Sequence, residues 1–308
     1  MSGLPHRLLG SSEIAVSVLA LGSWRTYEHM SREQGVAVML AARERGIDFL
    51  DDARYDDETG EAPIPTGYSE VIFGELFRAA GWKRDDVAVT NKLWWEFWPE
   101  QSAAEELDAS LQRMGFDYLD LVYSWATSDG PPIGEIVASV GGLVASGKVR
   151  AWGTGNWEPE EHAEAARTAA ELGVPPPCAA QLPYSVMLRE HAEGAAIGDA
   201  LDASGAAVVA SDVLHGGALS GKYSDRSTPG RMAGKLDDPG LQAVLEAADA
   251  LRVLAAELNT TAPALAIAFA LANDRVATVL VRRDIGEAAR GKRSCGRAAR
   301  ALDAGRAR

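Results

Sequence analysis

A tyrosine, a lysine and a pair of aspartates follow two consecutive predicted strands. One strand ends Phe49-Leu-Asp-Asp-Ala-Arg-Tyr55 and the next ends Thr90-Asn-Lys92. A lysine ammonium stabilises a phenolate, and a carboxylate holds the ammonium in place. Together they would bring a phenol, with a pKa of about 10, towards a usable proton donor. A surface tyrosine beside a solvated lysine is the structural alternative. Two consecutive strand ends on one face favour acid–base chemistry by Asp51, Tyr55 and Lys92.

The elements that must position these residues alternate between strand-like and helix-like periodicity. The predicted strands cover 16–21, 48–50, 87–90, 118–123, 149–153, 178–182, 206–210 and 276–281. The predicted helices cover 31–46, 68–81, 101–115, 133–147, 159–173, 191–205, 241–258 and 261–272. Such alternation implies parallel strands with helices outside. A doubly wound sheet would usually carry Gly-x-Gly-x-x-Gly after its first strand, where this chain has Leu21-Gly-Ser-Trp24. We therefore predict an α/β fold, a (β/α)8 TIM barrel in which residues 1–308 form one domain.

The predicted mouth of the barrel carries an irregular stretch and a cluster of tryptophans. Residues 56–67 follow the second strand and belong to the carboxyl-terminal face, where barrel active sites form. Trp94, Trp95 and Trp98 directly follow the third strand. They indicate a large apolar or aromatic substrate. Alternatively, they pack the 56–67 stretch onto the barrel.

Composition limits the classes of partner. The chain of 308 residues carries a net charge of −14, which argues against a nucleic-acid partner. Its two cysteines, Cys178 and Cys295, give no disulfide framework and fit a reducing compartment. We see no signal-peptide core and no apolar run of about 18 residues, so we predict a cytoplasmic protein without a membrane segment. No metal site is predicted.

The chain resembles the aldo-keto reductase superfamily over nearly its whole length, and most of all its channel-β-subunit-like branch. The motifs that carry the resemblance are Leu9-Gly-Ser-Ser12 in an N-terminal β-hairpin, Leu21-Gly-Ser-Trp24, Gly46-Ile-Asp-Phe-Leu-Asp51, Tyr68-Ser-Glu70, Asn91-Lys92, Gly147-Lys-Val-Arg150, Gly153-Thr-Gly-Asn156, Gln181-Leu-Pro-Tyr184 and Gly217-Ala-Leu-Ser-Gly-Lys-Tyr223. Their order and spacing together are specific, although no single motif is decisive.

The resemblance implies NADPH as cofactor and a role for each matching position. Asp51, Tyr55 and Lys92 match three of the four catalytic residues. Asn156 and Gln181 match the pair that binds the nicotinamide carboxamide. The remaining implied cofactor contacts are Gly22, Ser23 and Trp24 beside the nicotinamide ribose, and Leu214, Gly217 and Leu219 in a loop along the pyrophosphate. His215, in the same loop, is a further candidate proton carrier or simply a polar loop residue.

Several positions near the predicted chemistry depart from the family pattern. Tyr55 follows Asp51 by four residues instead of five, so either the loop has lost a residue or Asp52 takes part. Trp125 stands where the family has His or Asn. An indole N–H can donate to a carbonyl oxygen but cannot relay a proton. Ser211 replaces the aromatic residue that stacks on the nicotinamide.

The segment after the last predicted strand differs most from the family's sequence pattern. Arg282 stands at a family glycine, while Ala288 and Lys292 replace the amides that hold the adenosine. Residues 284–308 are then an atypical, poorly ordered tail. The alternative is that Arg282, Arg283 and Lys292 bind a phosphate in their own way. NADPH binding is therefore expected to be weak or lost.

Three functions are compatible with this sequence. The first is an NADPH-dependent reductase of a ketone or aldehyde, with Trp24, Trp94, Trp95, Trp98 and Trp125 around the substrate. The second is a barrel that no longer transfers hydride and uses Tyr55 and Lys92 for a cyclisation, dehydration or isomerisation. The third is a non-catalytic binding subunit.

Overall fold

The computed structural model describes residues 3–125 and 129–282 and contains a closed barrel of eight parallel strands. In barrel order these are β3 (Leu19–Gly22), β4 (Phe49–Asp51), β5 (Ala88–Leu93), β6 (Leu119–Trp125), β7 (Val149–Gly155), β8 (Ala179–Pro183), β9 (Ala207–Ser211) and β10 (Val276–Val281). Strand β10 pairs with β3 and closes the ring. The predicted (β/α)8 TIM barrel is confirmed.

Alternate residues along each barrel strand face the interior. Phe49, Leu121, Tyr123, Ala151 and other small or apolar residues form a buried cluster inside the ring. Every second residue of a strand points to the same side. Further along each strand, the next inward-facing residues therefore lie at its carboxyl end, at the mouth of the barrel. These continuing positions are Asp51 on β4, Lys92 on β5, Trp125 on β6, Gly155 on β7, Gln181 on β8 and Ser211 on β9.

An N-terminal β-hairpin closes the opposite end of the barrel. Its strands, β1 (His6–Leu8) and β2 (Ala15–Ser17), are antiparallel, and Leu9 and Ile14 pack into the interior cluster. The hairpin corrects one prediction, because the expected single strand over 16–21 is broken between β2 and β3. The first part pairs with β1, whereas the second part joins the barrel.

Helices surround the barrel. They are α1 (Arg32–Glu44), α2 (Tyr68–Ala79), α3 (Ala103–Met114), α4 (Ile133–Ala145), α5 (Pro159–Leu172), α6 (Glu190–Glu193), α7 (Ala195–Ser204), α8 (Pro239–Glu257) and α9 (Ala262–Leu271). Ser31 and Ser102 begin α1 and α3 with capping boxes, which satisfy otherwise unpaired backbone N–H groups. The predicted helix over 191–205 is wrong as a single element. It divides at Gly194, whose backbone is not helical.

In the described ranges, no single helix is both long and apolar enough to cross a membrane. Helices α8 and α9 pass that test only as a pair, with a bend of 94° between them.

Candidate active site

Lys92, Tyr55 and Asp51 meet at the carboxyl ends of β4 and β5. Lys92 Nζ donates to the Tyr55 hydroxyl oxygen over 2.9 Å and to Asp51 Oδ2 over 3.2 Å. Gln181 Nε2 donates to Asp51 Oδ1 over 3.2 Å from β8, across the barrel. Asp51 and Lys92 are almost fully buried, so their charges interact in a water-poor environment. The structure thus brings the three predicted catalytic residues into one hydrogen-bonded group.

The loop that follows β4 fixes the position of Tyr55. The Tyr55 backbone N–H donates to Ser69 Oγ, and the Tyr55 carbonyl accepts from the backbone N–H of Gly67. Arg54, which is buried, donates to Thr66 and to Glu96, so it ties this loop to the loop after β5. Gly67 has a φ of +77°, and a side chain there would collide with Arg113. The shortened spacing between Asp51 and Tyr55 therefore still delivers the phenol to Lys92.

Asp52 points to a different environment from Asp51. It is fully buried, accepts a hydrogen bond from the Ser23 hydroxyl through Oδ1, and has an Oδ2 atom without a partner in the described residues. Burial and the nearby charge of Glu70 raise the pKa of Asp52 well above its ordinary range. Lys92 contacts Asp51 instead, so the geometry selects Asp51 as the partner of the ammonium.

The acidity of Tyr55 differs from the sequence-based expectation. Burial, together with the charges of Asp51 and Asp52, raises the pKa of the Tyr55 hydroxyl well above its ordinary value. The expectation that Lys92 would bring this pKa down was wrong for the protein alone, since one ammonium does not offset burial and several carboxylates. Tyr55 is consequently a protonated phenol at neutral pH. Because Lys92 donates to its oxygen, the hydroxyl hydrogen is left for an incoming acceptor.

Three tryptophan rings lie near Tyr55 and Lys92. The ring centroid of Trp24 lies 6.4 Å from that of Tyr55, and the Trp94 ring lies 6.1 Å away on an edge-to-face contact. Trp125 continues this wall, 5.3 Å from Trp94 and with Lys92 Nζ 5.5 Å from its ring. These three predicted substrate contacts are therefore near the proton donor.

The other two predicted substrate contacts, Trp95 and Trp98, pack against the protein. Trp95 is buried, and its indole N–H donates to Ser124 Oγ over 2.9 Å. Trp98 is half-buried and packs on the main hydrophobic cluster outside the strands. Trp95 therefore anchors its own loop to the barrel, whereas a substrate contact for Trp98 stays a prediction.

The predicted nicotinamide contacts occupy the same mouth. The Asn156 side chain is exposed just beyond β7, where the backbone has a φ of +56° and its N–H donates to the Gln181 carbonyl. Gly22 ends β3, and among the described residues a side chain added there would meet the Val281 carbonyl alone, at 3.8 Å. Ser23 is turned towards Asp52. Ser211 ends β9, half-buried and without a ring to stack on a cofactor.

The loop after β9 brings positive charge to this mouth. Gly217 and Leu219 belong to a 3-10 turn that directly follows Leu214, and Gly217 has a φ of +93°. A Cβ atom built on Gly217 would lie 3.5 Å from Nζ of Lys222, so this ammonium lies beside the turn. Further along the loop, the Arg231 guanidinium lies 4.4 Å from the centre of the Trp24 ring. His215, in the same turn, has a buried Nδ1 atom without a partner among the described residues.

Lys222 and Arg231 are candidate binding residues that sequence reasoning missed. Lys222 stood inside a motif that matched the family, but Arg231 lies in an irregular segment with no pattern to single it out. Neither side chain pairs with a carboxylate within residues 3–125 and 129–282. Arg282 reaches the same area and donates to the Trp24 carbonyl over 3.4 Å. The predicted roles of Arg283, Ala288 and Lys292, and of the tail 284–308, lie outside the described residues.

Comparison with known proteins agrees with this geometry. The model of the "Aldo/keto reductase family" matches residues 18–284. A protein from Oryza sativa subsp. japonica, described as a probable voltage-gated potassium channel subunit beta, is 27% identical over 292 residues. The match covers 90% of this chain and 86% of that protein. Both findings confirm the resemblance that the motifs carried.

Proposed function

The chain belongs to the aldo/keto reductase family, and we propose that it reduces a ketone or aldehyde with NADPH as the hydride source. The observation that carries the proposal is the hydrogen bond of Lys92 to Tyr55, with Asp51 behind the ammonium. The cofactor would supply hydride to the carbonyl carbon. The protein would orient the substrate and the cofactor, donate a proton and stabilise developing charge electrostatically.

Tyr55 gives its proton to the carbonyl oxygen of the substrate. Its hydroxyl hydrogen is not used by Lys92, so a carbonyl oxygen in front of it receives a direct hydrogen bond. As negative charge develops on that oxygen and then on the phenol, the Lys92 ammonium 2.9 Å away stabilises it. Asp51 and Gln181 keep the ammonium in place. A positioned proton donor of this kind contributes roughly 10²–10⁴ in rate.

The residues at the mouth fit an anionic dinucleotide. Lys222 and Arg231 are two cations without carboxylate partners in the described parts of the chain, and they flank the turn that contains Gly217. Cations without a carboxylate partner suit phosphate oxygens. Asn156 has an exposed amide that suits the nicotinamide carboxamide. We assign Lys222 and Arg231 to the phosphates, and Asn156 with Gln181 to the nicotinamide end.

A titration followed by a turnover assay tests this function. NADPH and NADH are titrated separately by calorimetry, and loss of the reduced-nicotinamide absorbance is then followed after addition of an aryl aldehyde. The proposal expects binding of NADPH and a carbonyl-dependent loss of absorbance that Tyr55→Phe removes. If neither nucleotide binds at about millimolar concentration, the reductase function is excluded.

A second function is favoured by two observations in the same site. Trp125 cannot relay a proton, and Ser211 offers no ring to a nicotinamide. A barrel that kept Tyr55 and Lys92 without hydride transfer would catalyse a cyclisation, dehydration or isomerisation. Such an enzyme would transform its substrate without nucleotide, and Tyr55→Phe would still abolish turnover.

A further inference from the structure

Trp125 and Gly155 are paired residues on neighbouring strands. They are register partners at the ends of β6 and β7. Both continue the alternation that places Tyr123 on β6 and Ala151 on β7 inside the barrel, so both belong to the inner face at its mouth.

The Trp125 ring occupies the space that a side chain at position 155 would need. A Cβ atom built on Gly155 would lie 2.6 Å from Cζ3 of Trp125 and closer still to Cε3. No rotation of the added methyl relieves contacts of this length, so the ring would have to leave. The backbone of Gly155 is not left-handed, since it is absent from the residues with positive φ. The indole, and not the backbone conformation, therefore accounts for a glycine at this position.

Seated on Gly155, the indole forms the far wall of the space in front of Tyr55. It contacts Trp94 at 5.3 Å, and Trp94 contacts Tyr55 at 6.1 Å. Trp24 also lies beside the phenol, with ring centroids 6.4 Å apart. Several flat rings near the proton donor suit a flat substrate, because offset and edge-to-face contacts between rings add to simple burial of apolar surface. A flexible alkyl chain gains the burial alone and loses rotational freedom.

We propose that Trp125, held in place by the bare backbone of Gly155, is the specificity-determining residue of the site and selects aryl or conjugated carbonyl compounds over aliphatic ones. This inference rests on the proposed function for its turnover readout, but the selection itself is a property of binding. Trp125 contributes shape and a ring face near Lys92, and no proton passes through it.

A double-mutant cycle tests the pairing. The measured quantity is the ratio of kcat/KM for an aryl aldehyde to that for an unbranched alkyl aldehyde of equal carbon number. We expect Trp125→Leu to lower this ratio about tenfold, which corresponds to about 1.4 kcal/mol. Gly155→Ala should lower it by a similar factor by displacing the ring. Gly155→Ala combined with Trp125→Leu should lose no more than either alone, since the ring is then already gone.

Two controls separate this effect from simple damage to the fold. Trp125→Phe keeps a ring and should retain most of the aryl preference. Gly142→Ala is a matched change on α4, where an added Cβ meets no atom of the described residues within 4 Å, and it should leave the ratio unchanged. An unchanged ratio in Trp125→Leu would overturn the inference, as would strictly additive losses in the cycle.

Calorimetric binding of the same two aldehydes, without nucleotide, distinguishes failure of this inference from failure of the proposed function. If no carbonyl compound is reduced but aryl binding is preferred and shows the same coupling between Trp125 and Gly155, the inference stands and the reductase function falls. If reduction occurs with no coupling in either assay, the inference falls and the reductase function stands.

Discussion

The Lys92 ammonium lies 2.9 Å from the Tyr55 hydroxyl oxygen and 3.2 Å from an Asp51 carboxylate oxygen. The Lys92 ammonium thus bonds both to the proton donor, Tyr55, and to the buried carboxylate of Asp51. The neighbouring Asp52 takes no part in this contact and binds Ser23 instead. The distinction between the two adjacent carboxylates makes the site testable residue by residue.

Replacing Tyr55 by Phe should abolish most turnover while leaving nucleotide affinity within about twofold. The change removes one positioned proton donor, which is worth about 10²–10⁴ in rate, and removes no contact to phosphate. Steady-state kinetics and calorimetry measure the two effects. Tyr118→Phe, at the other end of the barrel, removes a hydroxyl that donates to Asp85 and should leave kinetics unchanged. Near-full activity in Tyr55→Phe would remove this residue from the mechanism.

Lys92→Met should be at least as damaging as Tyr55→Phe. It removes the charge that stabilises developing negative charge at the phenol and also leaves the buried Asp51 without its cation. The effect should appear in kcat and kcat/KM together, because the interaction strengthens in the transition state. Activity close to that of the unmodified protein in Lys92→Met would count against the pairing.

The pH dependence should show no loss of activity from Tyr55 ionisation between about pH 6 and 9. Burial and the charges of Asp51 and Asp52 raise the pKa of this hydroxyl well above its ordinary value, so the donor form persists through that range. A profile of kcat/KM against pH is the measurement. The residual activity of Tyr55→Phe serves as the control. A fall in activity centred near neutral pH that appears in the unmodified protein, but not in Tyr55→Phe, would show that the Tyr55 phenol is far more acidic than its surroundings imply.

Asp52→Asn should stabilise the protein at neutral pH and leave turnover largely intact. A carboxyl group whose pKa is raised in the folded state holds its proton more tightly there than in the unfolded chain. Its contribution to stability is complete below an unfolded pKa of about 3.9 and is lost as the pH rises towards the folded value. The amide of Asp52→Asn resembles the neutral carboxyl group and cannot ionise, so the variant does not lose stability as the pH rises.

The melting temperature of Asp52→Asn should therefore exceed that of the unmodified protein by a few degrees at pH 7, and the gap should close near pH 4. Asp51→Asn is the matched comparison. It should lower kcat strongly, since Lys92 and Gln181 both bind Asp51. Equal losses of activity in the two variants would contradict the assignment of Asp51.

Lys222→Ala should weaken NADPH binding by roughly 10–100-fold, the value of one charge-assisted hydrogen bond. Binding by the unmodified protein should itself be weak, because Ser211 provides no stacking contact for a nicotinamide ring. Lys83→Ala, an exposed lysine before β5 at the opposite end, controls for the loss of one positive charge. Unchanged affinity in Lys222→Ala would exclude this lysine from the phosphate site.

The barrel fold and the grouping of Asp51, Tyr55 and Lys92 could be predicted from the sequence, because both depend on patterns that are local along the chain. Strand and helix periods repeat along the chain, and consecutive parallel strands end on one face. Trp94 and Trp95 show where this reasoning stops. They are adjacent in sequence, yet one faces Tyr55 and the other is buried against Ser124. Their burial depends on long-range packing that periodicity does not describe.

Electrostatic effects and the packing of one side chain against another are equally hard to predict from the sequence. The pKa of Tyr55 depends on burial and on carboxylates from several strand ends and loops, and these sum only in three dimensions. The fit of Trp125 on Gly155 joins residues 30 positions apart, and it becomes visible only with the strand register. Arg231 reaches Trp24 from an irregular loop that no pattern could orient.

The most direct test of the central claim uses NADPH that carries deuterium at both C4 positions of its nicotinamide ring and follows the label into the product. The protein is given an aryl aldehyde in a single turnover, and the product alcohol is analysed for deuterium on its carbinol carbon. We expect deuterium at that carbon with the unmodified protein and no product in the same time with Tyr55→Phe. A product that forms without deuterium, or with the same yield in the absence of NADPH, would contradict hydride transfer at this site.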